Sequence, residues 1–312
     1  MTPLVSVVIP TYNRPAILRS ALSSVVGQRG VPGEIEVIVV NDGGTEVNDA
    51  IDTARDRGLC TRLIDLPVNR GLSSARNVGI DAARGEFLAL LDDDDVFLPD
   101  HLATMIETIG RENVDAAYGI CPVSTSRVDP ALPPPQLESW SHPFDGELLS
   151  VANFISVHAA VVRMPPANAR YDPGLSALED WDMWLRLTRE HGYRFHHVPQ
   201  PTVIYHRLPA QNSMCGATMS NAAALSGFGR LAQRIWARWP ATTARSQRFR
   251  LYIAVLYWQA LTVVAEGGTL AGDFFQRCIG EISATWHGQQ SESDLPARIT
   301  DSIQERRVDM AR

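Results

Sequence analysis

Asp92, Asp93, Asp94 and Asp95 stand in one uninterrupted run directly after the apolar stretch Glu86-Phe87-Leu88-Ala89-Leu90-Leu91. Like charges about 4 Å apart repel by roughly 4 kcal/mol even at the effective dielectric of a protein surface. Four adjacent carboxylates therefore call for a cation. A hard divalent ion such as Mg2+ or Mn2+ takes carboxylate oxygens together with substrate phosphate oxygens, and in an extended segment Asp92 and Asp94 point to the same side. The chemistry this suits is the handling of a phosphorylated substrate through a metal. An acidic run can instead be a solvated loop or the start of a helix, and Asp95, with Pro99 and Asp100, fits that reading better than Asp92 to Asp94 do.

The elements that would position these groups follow from the apolar pattern. The stretch after Gly85 reads as a strand buried on both faces, as in a parallel sheet. Its acids then lie at the carboxyl end, where open α/β sheets bind ligands. Val5-Ser6-Val7-Val8-Ile9 reads as the first strand, closed by Pro10-Thr11-Tyr12-Asn13-Arg14-Pro15, with a helix running to about Val26. Ile35 to Val40 is a second strand and ends in Asn41-Asp42-Gly43-Gly44, again a carboxylate after a strand. A helix from Thr45 to about Arg57, a short strand from Arg62 to Asp65 and a helix from Leu72 to Ala83 come next. These β-loop-α units predict an α/β, Rossmann-like fold: a mostly parallel sheet sandwiched by helices, wound right-handed. No GxGxxG follows the first strand and no GxxxxGK[ST] occurs, so neither a dinucleotide turn nor a triphosphate loop is present.

After a helix from Pro99 to Ile109, Asp115 to Val123 reads as a strand, and Ser124 to Pro143 as a long Pro- and Ser-rich loop. Ser156 to Val162 is strand-like. Glu179-Asp180-Trp181-Asp182 opens a helix ending near Gly192, on which Trp181, Trp184, Leu185 and Thr188 have the spacing of a buried face. Tyr193 to Tyr205 is mostly extended, and His206-Arg207 follows. Beyond Ser220 the pattern turns helical, around 221–238, 246–266, 271–285 and 297–307.

The 312 residues suffice for a large domain and a sizeable appendage. A net charge of -7 and a pI near 5.6 argue against nucleic-acid binding, which needs a surplus of basic residues. Cys60, Cys121, Cys215 and Cys278 lie far apart without CxxC spacing, which suggests reduced thiols in a cytoplasmic protein. No secretory leader is visible, and Leu251 to Ala265 falls short of the ~20 residues that span a bilayer. A peripheral role at the inner face of the membrane stays open.

Ser6-Val7-Val8-Ile9-Pro10-Thr11-Tyr12-Asn13-Arg14, Val40-Asn41-Asp42-Gly43-Gly44, Asn69-Arg70-Gly71 through Ala75-Arg76-Asn77, Gly85 to Asp95 with its DXD motif, and Glu179-Asp180-Trp181 together resemble the family 2 glycosyltransferases, of GT-A fold. Five motifs in order, over roughly residues 4–215, carry the resemblance. It implies a GT-A catalytic domain over 1–215, with a nucleotide-sugar half (1–110) and an acceptor half (111–215), followed by a helical region over 216–312. The implied reaction moves a sugar from a nucleoside diphosphate donor, a UDP-sugar in the favoured case, to a saccharide, glycolipid or other hydroxyl acceptor. The family works usually with inversion and with Mn2+ or Mg2+, and polysaccharide biosynthesis is its usual setting.

Carried over by position, Tyr12 would stack on the nucleobase, Asp42 would bond its edge, Pro10 would complete that pocket, and Asp93 would contact the ribose. Asp94 would ligate the metal, supported by Asp92, and Asp180 would be the general base, with Glu179 and Asp182 as competitors. Arg76 would either meet the donor's phosphates or pair with a carboxylate. His206 would be a further metal ligand or a structural histidine, and His158 a packed histidine or part of the acceptor pocket. Asn41 departs from the family's frequent aspartate. Rival readings are a retaining transferase or nucleotidyltransferase on the same fold, and a catalytically silent nucleotide-sugar-binding scaffold.

Overall fold

The computed structural model describes residues 2–130, 132, 137, 139, 141–208, 218–271 and 273–304. They divide into two compact units, one of Met1–Pro143 with Ile155–Pro209 and one of Phe144–Phe154 with Ala210–Arg312.

In the first unit β1 (Val5–Thr11) and β2 (Ile35–Asn41) are rich in β-branched residues and almost wholly buried, which suits central strands. With β3 (Cys60–Asp65) and β4 (Phe87–Leu90) they form the parallel half of a seven-stranded sheet ordered β3-β2-β1-β4-β8-β6-β9. The other half consists of β6 (Ala116–Ile120), β8 (Ala160–Arg163) and β9 (Phe195–Pro201). The sheet is mixed, because β8 runs antiparallel to both β4 and β6. Part of the expected strand 156–162 is a 3-10 turn, Val157–Ala159. A small second sheet joins β5 (Val96–Phe97), β7 (Val123–Ser124) and β10 (Val203–His206), with β10 between the other two.

Helices α1 (Pro15–Val26), α2 (Asn48–Asp56), α3 (Leu72–Ala82) and α4 (His101–Arg111) follow the strands in the expected alternation. α3 lies close on the sheet because Gly79 has no side chain: a Cβ there would fall 2.3 Å from Val8 Cγ1. Gly79→Ala should gain helix propensity yet force the helix off β1. A net loss of about 1–2 kcal/mol is expected, read as a lower midpoint in urea with an unchanged slope.

Of the second unit, α5 (Gly146–Leu149) is capped by Asp145, whose Oδ1 accepts from the Glu147 and Leu148 N–H groups. Asp145 Oδ2 takes the indole N–H of Trp286 at 2.7 Å. Residues 144–154 therefore pack with the C-terminal helices α7 (Ala222–Arg238), α8 (Ala244–Ala265), α9 (Phe274–Trp286) and α10 (Leu295–Gln304). In the first unit α6 (Glu179–Arg189) buries Trp181, Trp184 and Leu185 of the expected face, while Thr188 is half-buried.

Candidate active site

The four aspartates are not extended. The Asp95 N–H donates to the Asp92 carbonyl at 3.1 Å, closing a turn with Asp93 and Asp94 at its corners. Asp92 consequently groups with Asp95, not with Asp94 as alternation along a strand would have it. Each pair meets its own cation. Arg76 donates to Asp92 Oδ1 at 2.6 Å, and His158 Nδ1 lies 3.2 Å from Asp95 Oδ2 and 3.9 Å from Asp92 Oδ2. Arg14 donates to Asp93 Oδ1 at 3.2 Å and Asp94 Oδ2 at 3.0 Å, while the Thr11 hydroxyl donates to Asp93 Oδ2 at 2.7 Å. The repulsion expected of four carboxylates is thus met by protein cations.

Burial alone would raise Asp92, but the Arg76 guanidinium and His158 hold it well below the usual carboxylate range. Asp93 is pushed up to about 6, by burial first, with the Thr11 hydroxyl opposing. Burial and the neighbouring Asp92 raise Asp94, and burial raises Asp95 far above its ordinary value. Burial disfavours the imidazolium of His158, yet Cys121, Asp95 and Asp92 around it raise it well above the ordinary histidine. The Cys121 Sγ is 3.0 Å from His158 Nε2. Cys60, Cys121 and Cys278 are free thiols, and Cys215 lies outside the described residues.

At the ends of β1 and β2, whose last residues Thr11 and Asn41 are paired, Tyr12 and Asp42 come level beyond Pro10. Tyr12 is 46% exposed at this edge of the sheet. Asp42 is buried and accepts the Arg70 and Gly71 N–H groups at 2.8 Å each, fixing the loop that leads into α3. Gly43, at φ 72, lets that loop close: a Cβ there would sit 2.4 Å from the Val68 carbonyl carbon. Asn41 accounts for its own departure from the family pattern. Its amide donates to Asp65 Oδ1 at 3.0 Å and the Thr45 carbonyl at 3.1 Å, which a carboxylate could not do.

Arg76 is fully buried and bridges two elements. Besides Asp92 it donates to Glu179 Oε1 at 2.5 Å, and its guanidinium lies 5.5 Å over the Tyr171 ring. Burial would strip its proton, but Asp92 and Glu179 hold the charge in place. Of the two readings of Arg76, pairing with carboxylates is the one the geometry contains. Glu179 opens α6, and Asp180 follows about 100° round the helix, with its Oδ1 accepting the Trp181 N–H at 2.8 Å. Burial drives the Tyr171 phenol far above its ordinary value; Arg76 opposes, and Asp180, Glu179 and Asp92 all add to the rise. One phenol therefore senses the acidic turn and the start of α6 together. The helix is preceded by Leu178 in the left-handed region, φ 61, a conformation that costs a bulky residue about 1–3 kcal/mol.

Asp92, Asp95 and His158 offer ligand atoms within 4.8 Å of one another, and the buried Asp95 Oδ2 and His158 Nδ1, 3.2 Å apart, pair with each other without an aligned hydrogen bond. Carboxylate oxygens with one imidazole suit a divalent cation. His206, expected among the metal ligands, is placed otherwise. Its Nδ1 is 2.8 Å from the Asp94 carbonyl, its Nε2 accepts the Val128 N–H at 3.1 Å, and its backbone N–H donates to Asp95 Oδ1 at 2.7 Å. Both ring nitrogens are spent on backbone, so His206 braces the acidic turn from β10. His158, weighed in the sequence only as a packed or acceptor-side histidine, stands in the cluster instead.

The raised carboxyls set a pH dependence. Asp93 keeps its proton in the folded chain up to about pH 6 against 3.8 ordinarily, so its contribution to stability is complete below 3.8 and lost as pH rises through about 6. Ligation reverses that trend, since a cation requires the ionised groups. Mn2+ should raise the melting temperature more at about pH 7.5 than at about pH 5; equal shifts would place the ion elsewhere.

Residues 6–166 match the family described as Glycosyl transferase family 2. The uncharacterized glycosyltransferase YwdF of Bacillus subtilis is 32% identical over 206 residues, 64% of this chain and 73% of that protein. Matches to EpsH of Bacillus subtilis and ExoO of Rhizobium meliloti span only 32% and 29% of those proteins. Among solved structures, S. aureus TarS 1-349 in complex with UDP-GlcNAc superposes with a TM-score of 0.54 at 15% identity, covering 97% of this chain and 92% of that one.

Proposed function

Since this chain belongs to glycosyl transferase family 2, we propose that it moves a sugar from a nucleoside diphosphate to an acceptor hydroxyl with inversion, Asp180 serving as general base. The single observation that supports this reading is the Arg76 bridge, which ties the acidic turn to Glu179, the first residue of α6 and the chain neighbour of Asp180. Tyr12 would stack on the base, Asp42 would hold the loop bordering it, and Asp93 would meet the ribose. A UDP-sugar is the favoured donor.

Asp92, Asp95 and His158, once the histidine has given up its proton, would hold a divalent ion, with Asp94 at the turn's outer corner. Such an ion supplies Lewis-acid stabilisation of the departing diphosphate. Arg14, on Asp93 and Asp94 and partly exposed, is placed to transfer its charge to donor phosphates when they arrive. Asp180 then takes the acceptor's proton as its oxygen attacks. A base on the face opposite the leaving group gives inversion in a single displacement.

A panel of UDP-, GDP- and dTDP-sugars tested by thermal shift with and without Mn2+ should reveal one donor class that stabilises only with the ion. Asp94→Ala should lower that donor's affinity at least about tenfold. Unchanged affinity would remove Asp94 from the metal and diphosphate site. If transfer yields the retained anomer by NMR, the inverting assignment fails.

A further inference from the structure

The second unit carries a surface unrelated to the acidic turn. On α8 the large apolar side chains of Leu251, Val255 and Trp258 are 65%, 45% and 68% exposed. Their spacing of four and three residues puts them on one stripe. The opposite side of the helix, with Phe249, Ile253, Leu256, Ala260 and Val264, is buried in the unit's core. The helix is thus apolar on both sides, and a soluble unit gains nothing from the outer one.

Helices α7 and α8 themselves carry six arginines and not one carboxylate, in a chain whose net charge is -7. Arg230, Arg234 and Arg238 form an exposed row at i, i+4 and i+8 on α7, a repetition of like charge that destabilises an isolated helix. The Phe228 and Tyr257 rings lie 6.0 Å apart, and Arg250 donates to the Trp236 carbonyl, so α7 runs antiparallel beside α8. That brings Arg230 and Arg234 alongside the turns bearing Val255 and Leu251.

We propose that this face of α7 and α8 docks on an anionic lipid surface, with Trp258, Leu251 and Val255 entering the interface and the α7 arginines meeting headgroup phosphates. Tryptophan and aliphatic residues beside arginines are the composition of helices that lie in the plane of a bilayer. Among the described residues no helix is long and apolar enough to cross a membrane, so the contact is of the lying kind. A second copy of the chain is the poorer occupant, because a two-fold interface sets the same patch against itself and would bring the arginine rows together.

Sedimentation of the full chain with phosphatidylglycerol–phosphatidylcholine vesicles, against phosphatidylcholine alone, tests this. Binding should require the anionic lipid and weaken at least about tenfold in ~1 M salt, where the Debye length is about 3 Å. Trp258→Ser with Leu251→Ser should abolish it, and Arg230→Glu with Arg234→Glu should weaken it about tenfold or more. All four positions are exposed and remote in sequence from the acidic turn, so donor binding and melting temperature stay as in the parent chain. No anionic-vesicle binding at low salt, or binding indifferent to both double variants, overturns the proposal. So does a dimer in light scattering that Trp258→Ser dissociates.

Discussion

Asp180→Asn should leave donor affinity within about threefold of the parent while transfer falls ~10²–10⁴-fold, the range that a positioned general base contributes. The substitution keeps size and local hydrogen bonding, including acceptance of the Trp181 N–H through the side-chain oxygen, so a folding defect is not expected. Two neighbours compete for the role in sequence, and the geometry weighs against both. Glu179 is buried and committed to Arg76. Asp182 is fully buried and accepts from Arg186 at 3.3 Å. Single-turnover transfer and donor titration on the same preparation check the prediction; turnover near the parent's rate would move proton abstraction off α6.

The parallel half of the sheet was legible because β1, β2 and β4 are apolar runs too short for helices and bounded by Gly, Pro and Asn. The carboxylates at those strand ends followed from the same pattern. What escaped the sequence depends on turns and on long-range partners. Reading Asp92 to Asp95 as extended put Asp92 beside Asp94, and one hydrogen bond from Asp95 to the Asp92 carbonyl reverses the pairing. Arg14 sits in the motif that closes β1, the neighbour of β4 in the sheet, and that adjacency was the available clue to its place on Asp93 and Asp94. His158 and His206 look alike in sequence, each at a strand edge. Only the fold shows that backbone groups take both nitrogens of one while the other faces carboxylates. Residues 144–154 pack with the C-terminal helices through Asp145 and Ser150, contacts about a hundred residues away in sequence that no local pattern announces.

Arg76→Met should cost about 3–5 kcal/mol of stability, because it leaves the buried Glu179 and the half-buried Asp92 without their shared cation. Stability alone would not separate a structural residue from one that positions the site, and a graded series does. In the triple change Arg76→Met, Asp92→Asn, Glu179→Gln the three charges leave together, and most of the lost stability should return, as when a buried ionic cluster is replaced as a whole. Transfer should not return with it, since Asp92 also belongs to the proposed metal set and nothing then ties the acidic turn to the start of α6. Arg76→Lys keeps the charge but offers a single ammonium where the guanidinium reaches Asp92 and Glu179 through separate nitrogens. That variant should fold and bind donor, yet lower kcat more than it raises KM, because its defect lies in where Asp180 stands when the acceptor's proton moves. Equal kcat in the lysine variant would detach the bridge from catalysis and leave it as a cross-brace of the fold.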